Sequence, residues 1–276
     1  MSAIINDVPT RARRRRLRWP FSLTATLSTV SLLVLLFIWW SVTTLGLIAP
    51  LFLPSPQQVL SKLLSVAGPQ GFMDATLWQH LSASLTRMLI ALSAAALTAI
   101  PVGIAMGVSP VLRALIDPLI ELYRPVPPLA YLPLMVIWFG IGETSKILLI
   151  TLAIFAPIVL STVAGVRNAQ QVRLRAAASL GANRWQRLRW VILPGALPEI
   201  LTGLRIGLGV GWSTLVAAEL IAATRGLGFM VQSAGEFLAT DVVLAGIAVI
   251  AIVACSLELG LRALQRRLTP WNGEQK

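Results

Sequence analysis

Six stretches of the chain are apolar for long enough, or nearly so, to cross a lipid bilayer as helices, and this leaves few folds open. They cover residues 23–48, 85–108, 129–141, 147–166, 200–223 and 242–261. A hydrocarbon core about 30 Å thick is crossed by roughly 20 helical residues. Only the third stretch, interrupted by Pro133, falls well short of that. A transmembrane helix tolerates such a proline when neighbours satisfy the freed carbonyl, so this span is expected to tilt or to begin earlier, at Leu119. Charged residues make up 12% of the chain, against roughly a quarter in a soluble domain. The expected fold is an all-α integral membrane protein of six transmembrane helices, with one membrane domain over 23–265 and polar tails at 1–22 and 266–276.

The loop charges orient this domain. Lysine and arginine gather on cytoplasmic loops, and Arg11, Arg13, Arg14, Arg15, Arg16 and Arg18 all precede the first span. Counting through six spans, the same side receives Arg113, Arg124, Arg167, Arg173, Arg175, Arg184, Arg187, Arg189, Arg262, Arg266, Arg267 and Lys276. Lys62, Arg87, Lys146 and Arg225 are left for the other side. Both termini are therefore expected in the cytoplasm. The net charge of +12 follows topology and forms no single patch beside stacking aromatics, which argues against nucleic acid as a partner. The arginine-led first run imitates a secretory signal, but it is longer than a signal core of about 7–15 residues and lacks an A-x-A-like site, so it reads as an uncleaved anchor.

Chemistry of the enzymatic kind is absent from the pattern. There is no G-x-S-x-G, no H-E-x-x-H and no spaced acid pair. Cys255 is the single cysteine and reads as a small packing residue, and His80, the single histidine, makes no metal site alone. GIGETSK at 140–146 has the wrong order for a phosphate-binding G-x-x-x-x-G-K-[ST] loop. Between spans, Ser55, Pro56 and Gln58 predict a capped surface helix with Val59, Leu60, Leu63 and Leu64 on one face. The proline-rich stretch 109–133 predicts an irregular connection.

The fifth span has two faces. Gly203, Gly207 and Gly211 recur every four residues, which allows close helix packing. Arg205, Trp212 and Glu219 recur every seven, along a stripe roughly opposite, with the two charges about 21 Å apart at 1.5 Å per residue. An ionised group at mid-bilayer costs about 2.5–3.5 kcal/mol on insertion scales, so both charges must face protein or water. The stripe either borders a substrate pathway or consists of end-of-helix charges bonded to neighbouring backbone. Glu258 is expected to pair with Arg262 at i+4.

Between the fourth and fifth spans lies a basic island, VRLRAAASLGANRWQRLRWVILPGALP, at 172–198. Helix formers run to Leu180, Gly181 breaks the backbone, and a second helix over 182–191 is expected to end at Pro194 and Pro198. A short helix with small side chains suits a groove on a partner; a basic segment held by anionic lipid is the competing explanation.

The island resembles the EAA loop of importer-type ABC permeases. Ala176 and Ala177 supply the alanine pair, Leu180, Gly181 and Ala182 the turn, and Leu193 and Pro194 the leucine–proline step; Arg175 stands where the motif usually has glutamate. LPSPQQVL, RPVPPLAYLPLMVIWFGIGETSK and LTGLRIGLGVGWSTLVAAELIAATRGLGFMVQSA extend the likeness to the nitrate, sulfonate and taurine permease subfamily. The resemblance implies a type I importer fold of the MetI-like kind, with 167–198 as the coupling loop. It also implies a second copy of the chain, two ATPase subunits that hold ATP and Mg, and a periplasmic substrate-binding protein, all at a bacterial inner membrane. The implied cargo is a small organosulfonate, taurine, moved from periplasm to cytoplasm by alternating access, and the chain itself carries no cofactor and is no enzyme. The alternative is an ion-driven secondary transporter for a small anion, which would favour midplane ionisable groups and repeated half-helices that the sequence does not display.

Overall fold

The computed structural model describes residues 23–168 and 171–273, so the basic tail at 1–22, residues 169 and 170, and the last three residues lie outside the described part. Within it, regular structure is helical apart from one β-bridge between Phe72 and Ala75. The first helix, α1 (Leu23–Thr44), is apolar all round and largely exposed from Leu32 to Phe37, as a lipid-facing helix should be. In α2 (Pro56–Ala67) the Ser55 hydroxyl accepts the Gln58 amide while the Gln58 side chain accepts the Ser55 amide at 2.8 Å, with Pro56 in the first turn. Its expected apolar face is split: Val59 and Val66 are buried, whereas Leu60 and Leu64 point outward. The Lys62–Asp241 pair, 3.8 Å, lies where α2 meets the start of the last long helix.

The helix α3 (Leu77–Val108) begins well before the apolar run because Thr76 and Gln79 form a second capping box. Its polar first turns place His80, Ser84 and Arg87 inside the protein. The stretch 109–133 departs from expectation, because it is mostly ordered as α4 (Pro110–Tyr123), which runs straight through Pro118. Ile116 and Ile120 pack on the core from one side of α4, and that burial outweighs the one hydrogen bond Pro118 cannot make. A 3-10 turn at Pro128–Tyr131 leads into α5 (Leu132–Phe139). The third apolar stretch is thus a short helical segment, Pro128–Phe139, too brief to span alone, and five helices among the described residues are long and apolar enough to do so.

The centre of the bundle is α6 (Glu143–Arg167), packed along its length on α3. Residues Gly103 and Gly107 of α3 face Thr162 and Val166 of α6 in the same order, so the two helices run parallel and the chain between them returns to the far end of the bundle. The island forms α7 (Gln171–Ser179) and α8 (Arg184–Arg187), followed by a π turn at Leu188–Ile192 and then α9 (Leu193–Ala222). Neither Pro194 nor Pro198 ends the second helix, contrary to expectation. Pro194 lies in the first turn of α9 behind the π turn, whose wider winding makes room where a proline ring would otherwise strike the preceding turn. A short helix, α10 (Leu227–Glu236), then turns the chain into α11 (Thr240–Leu268).

Candidate functional site

The turn between α7 and α8 is closed by its own backbone. The amide of Ala182 donates to the Ala177 carbonyl and that of Gly181 to the Ala178 carbonyl, both at 3.0 Å, with Gly181 at φ +81°. This is the paired C-terminal cap that ends a helix on a left-handed residue. A β-carbon at Gly181 would meet open space, so glycine is required by conformation rather than by crowding. On the other side Asn183 and Gln186 form a capping box at 2.8 Å that starts α8. Leu180, at the crest, is 88% exposed, and Trp185 and Trp190 are also exposed. Arg175, Arg184 and Arg187 line one concavity of about 460 Å³ beside Leu174 and Ala178. Ala177, Leu180, Gly181 and Ala182 line another of about 370 Å³. Leu193 lies just past the π turn, half-buried, with Pro194 exposed beside it. The turn thus presents an ordered apolar crest at Leu180 with guanidinium groups on its flank.

The glycines of α9 face α6. A β-carbon at Gly203 would lie 2.6 Å from the Ser161 Cβ, one at Gly207 2.9 Å from the Ile154 Cγ2, and one at Gly211 2.5 Å from the Ile154 Cδ1. The two backbones therefore approach closely, α9 running antiparallel to α6.

The stripe of Arg205, Trp212 and Glu219 divides into three environments. Glu219 has no exposed surface. Its carboxylate accepts the Ser84 hydroxyl at 2.8 and 2.9 Å, the Arg87 guanidinium at 2.6 Å and the Gly228 amide at 2.9 Å. The last contact puts an anion on the N-terminus of α10, where the helix dipole favours it. Arg87 also donates to the Arg225 carbonyl at 2.7 Å and grips Glu143 with two nitrogens, and Lys146 donates to Glu143 at 2.8 Å. Two cations and two carboxylates thus balance in one network joining α3, α6, α9 and α10. His80 completes it: its Nδ1 accepts the Gly226 amide at 3.2 Å, so Nε2 carries the proton and points it at the Phe72 carbonyl, 3.1 Å away.

Arg205 is neutralised elsewhere. Its Nε donates to Glu258 at 3.0 Å, its Nη2 donates to the same oxygen, and its Nη1 donates to Gln265 at 3.2 Å, joining α9 to α11. Glu258 does approach Arg262, at 3.6 Å, but Arg205 is its nearer partner. Trp212 is buried between these clamps, its indole N–H without a hydrogen-bond partner. The sequence carried one hint of the far network: Arg87 falls inside an apolar run, and a cation there must find an anion. Which anion depends on helix packing that no spacing encodes. Among the described residues, no cluster of three or more His, Cys, Asp or Glu side chains could hold a metal ion.

The model of the family described as binding-protein-dependent transport system inner membrane component matches residues 99–270, from the end of α3 through the whole of α11. The chain belongs to that family. Among curated members of these transport permeases, the taurine transport system permease protein TauC of Escherichia coli (strain K12) is 77% identical over 99% of this chain and 99% of its own length. The putative aliphatic sulfonates transport permease protein SsuC of Bacillus subtilis (strain 168) is 34% identical over 86% of this chain and 84% of its own. Among solved structures, the inward-facing MetNI methionine ABC transporter has a chain that superposes with a TM-score of 0.62 at 18% identity, covering 70% of this chain and 96% of that one. This permease therefore shares its helical fold with that transporter. Membership of a transport-permease family also accounts for a conspicuous site without catalytic groups.

Proposed function

We propose that the chain is the permease subunit of an ATP-driven importer of taurine, working as a homodimer in the bacterial inner membrane. The 77% identity to a taurine transport permease over nearly the full length supports the cargo. In this reading the chain crosses the membrane six times. The crossing that is not a long helix is the broken return through α4, the turn at Pro128–Tyr131 and α5, a reading supported by the parallel course of α3 and α6. Both termini and the turn at Gly181 then face the cytoplasm, in line with the arginine bias.

The observation that carries the mechanism is the cap at Gly181. It holds Leu180 exposed and Ala177 and Ala182 half-buried beside it in one fixed shape, as a coupling helix docked in a cleft of an ATPase subunit requires. ATP and Mg belong to that subunit, and a periplasmic binding protein supplies the ligand outside. Closure of two ATPase subunits on ATP draws the two turns together and favours the outward-facing state. The ATPase must therefore bind the two permease states unequally, since equal affinity shifts nothing. With Arg175 where the motif usually has an acid, and Arg184 and Arg187 in the same concavity, the facing wall of the ATPase cleft carries carboxylates. Of the stripe, only Arg205 keeps exposed surface for a pathway, while Trp212 and Glu219 pack and brace.

The test is the complete complex in proteoliposomes with its binding protein. A stoichiometric ATPase subunit co-purifies, taurine stimulates ATP hydrolysis, and Ala177→Trp abolishes that stimulation while membrane insertion persists. Taurine uptake driven by an ion gradient with no ATPase bound would overturn the reading.

A further inference from the structure

Halfway along the bundle lies a cavity of about 340 Å³ that the coupling surface and the charge clamps do not use. Ala153 and Ala156 in its wall straddle the midpoint of α6, and Ile206 and Val210 straddle that of α9, so it lies deep in the membrane. Arg124, grouped by sequence with the cytoplasmic arginines, opens into it from the end of α4. No carboxylate pairs with Arg124 among the described residues. Arg124 is exposed in the single chain, and a cation at this depth without an anion is too costly against lipid, so it must face water or a ligand.

The rest of the wall is complementary in a specific way. Tyr131 and Ser161 bring hydroxyl groups, and the ring of Tyr123 lines the wall while its own hydroxyl is shielded from the space. Pro157 has no amide to give the Ala153 carbonyl, so the same wall holds a backbone acceptor that lacks its helical donor. A guanidinium fork suits an anion with several oxygens. Carbonyl, hydroxyl and phenol faces suit an ammonium group. The volume is at the small end of the roughly 300–1,000 Å³ usual for small-molecule sites.

We propose that this cavity is a way-station in the translocation path that holds a small zwitterionic sulfonate, its anionic end on Arg124 and its ammonium among Ser161, Tyr131 and the Ala153 carbonyl. The proposal rests on the importer reading above. In this arrangement the permease itself selects for an anion after release from the binding protein. The exposed arginine at the cavity rim then trades water for the cargo's sulfonate.

The experiment compares wild type, Arg124→Gln and Arg124→Lys in the complete complex, reading taurine uptake and ATP hydrolysis in the same vesicles. Arg124→Gln is expected to lower taurine moved per ATP about tenfold, and Arg124→Lys to recover part of that ratio, because the charge and not the shape is at stake. A ratio within about twofold of wild type in both variants, or equal loss of uptake and hydrolysis in both, overturns the site. Should Arg124→Gln fail to assemble, taurine must protect Arg124 of the wild-type complex from phenylglyoxal, read by mass spectrometry; absence of protection overturns it. A wild-type complex indifferent to taurine would instead sink the importer reading, so the two failures are distinct.

Discussion

Glu219 and Gly226 exclude one another's growth: a β-carbon at Gly226 would lie 2.5 Å from the Glu219 Oε2, and Gly226 holds φ at +142°. Space and conformation both demand glycine there. Gly226→Ala is therefore expected to cost about 3 kcal/mol or more, from backbone strain and displacement of a bonded carboxylate. Thermal unfolding of the detergent-solubilised protein measures it, and an unchanged midpoint would mean that the carboxylate is free to move.

The Arg87–Glu219 pair predicts a non-additive cycle. Arg87→Met strands Glu219 inside the protein and should cost about 3–5 kcal/mol, whereas Glu219→Gln should cost less, because Arg87 keeps its two bonds to Glu143. The double variant should cost markedly less than the sum, because Glu143 keeps Lys146 and no unpaired charge remains at Glu219. Additive losses would show that the two groups act independently.

At Gly181 the constraint is conformational only. Gly181→Asn, which tolerates the left-handed region, should retain most taurine-stimulated ATP hydrolysis, whereas Gly181→Val should lose nearly all of it through a strain of about 1–2 kcal/mol and a misdirected crest. Equal activity in the two variants would count against a fixed shape at the turn.

Crowding at Gly211 comes from a single side chain. Gly211→Ala should weaken the α6–α9 contact by about 1–3 kcal/mol as the new methyl meets Ile154. In the Ile154→Ala background the same change should be nearly neutral or stabilising, because it fills the space vacated. Melting curves of the four proteins decide it.

Charge at the coupling surface should be readable in salt. If Arg175 faces carboxylates on an ATPase, Arg175→Glu weakens assembly by about 1 kcal/mol or more and flattens its dependence on ionic strength. A salt response identical to wild type would place Arg175 away from the contact.

Local signals in the sequence were dependable where a few neighbouring residues set the outcome. Ser55 with Gln58 starts α2, and Gly181 ends α7, because each motif satisfies backbone groups within a turn. The apolar runs gave the long helices, and the four-residue glycine spacing lies on the face of α9 that meets α6. Legibility failed where distant packing decides. Pro118 and Pro194 looked like breakers, yet burial of Ile120 and a π turn accommodate them. Arg87, Glu143 and Glu219 are scattered over 132 positions and meet only after α3, α6 and α9 have assembled.

The absence of any loop between Asn183 and Ala222 has a mechanical corollary. From α8 onward the chain is one helical shaft, and its distal tip is bolted to three neighbours through Glu219. A shove delivered at one end is carried along the shaft to Glu219 and what it fastens, with the π turn and Pro198 as the places where the shaft can bend. Gating in such a molecule is a tilt of whole walls, driven from the capped turn as from a fixed handle.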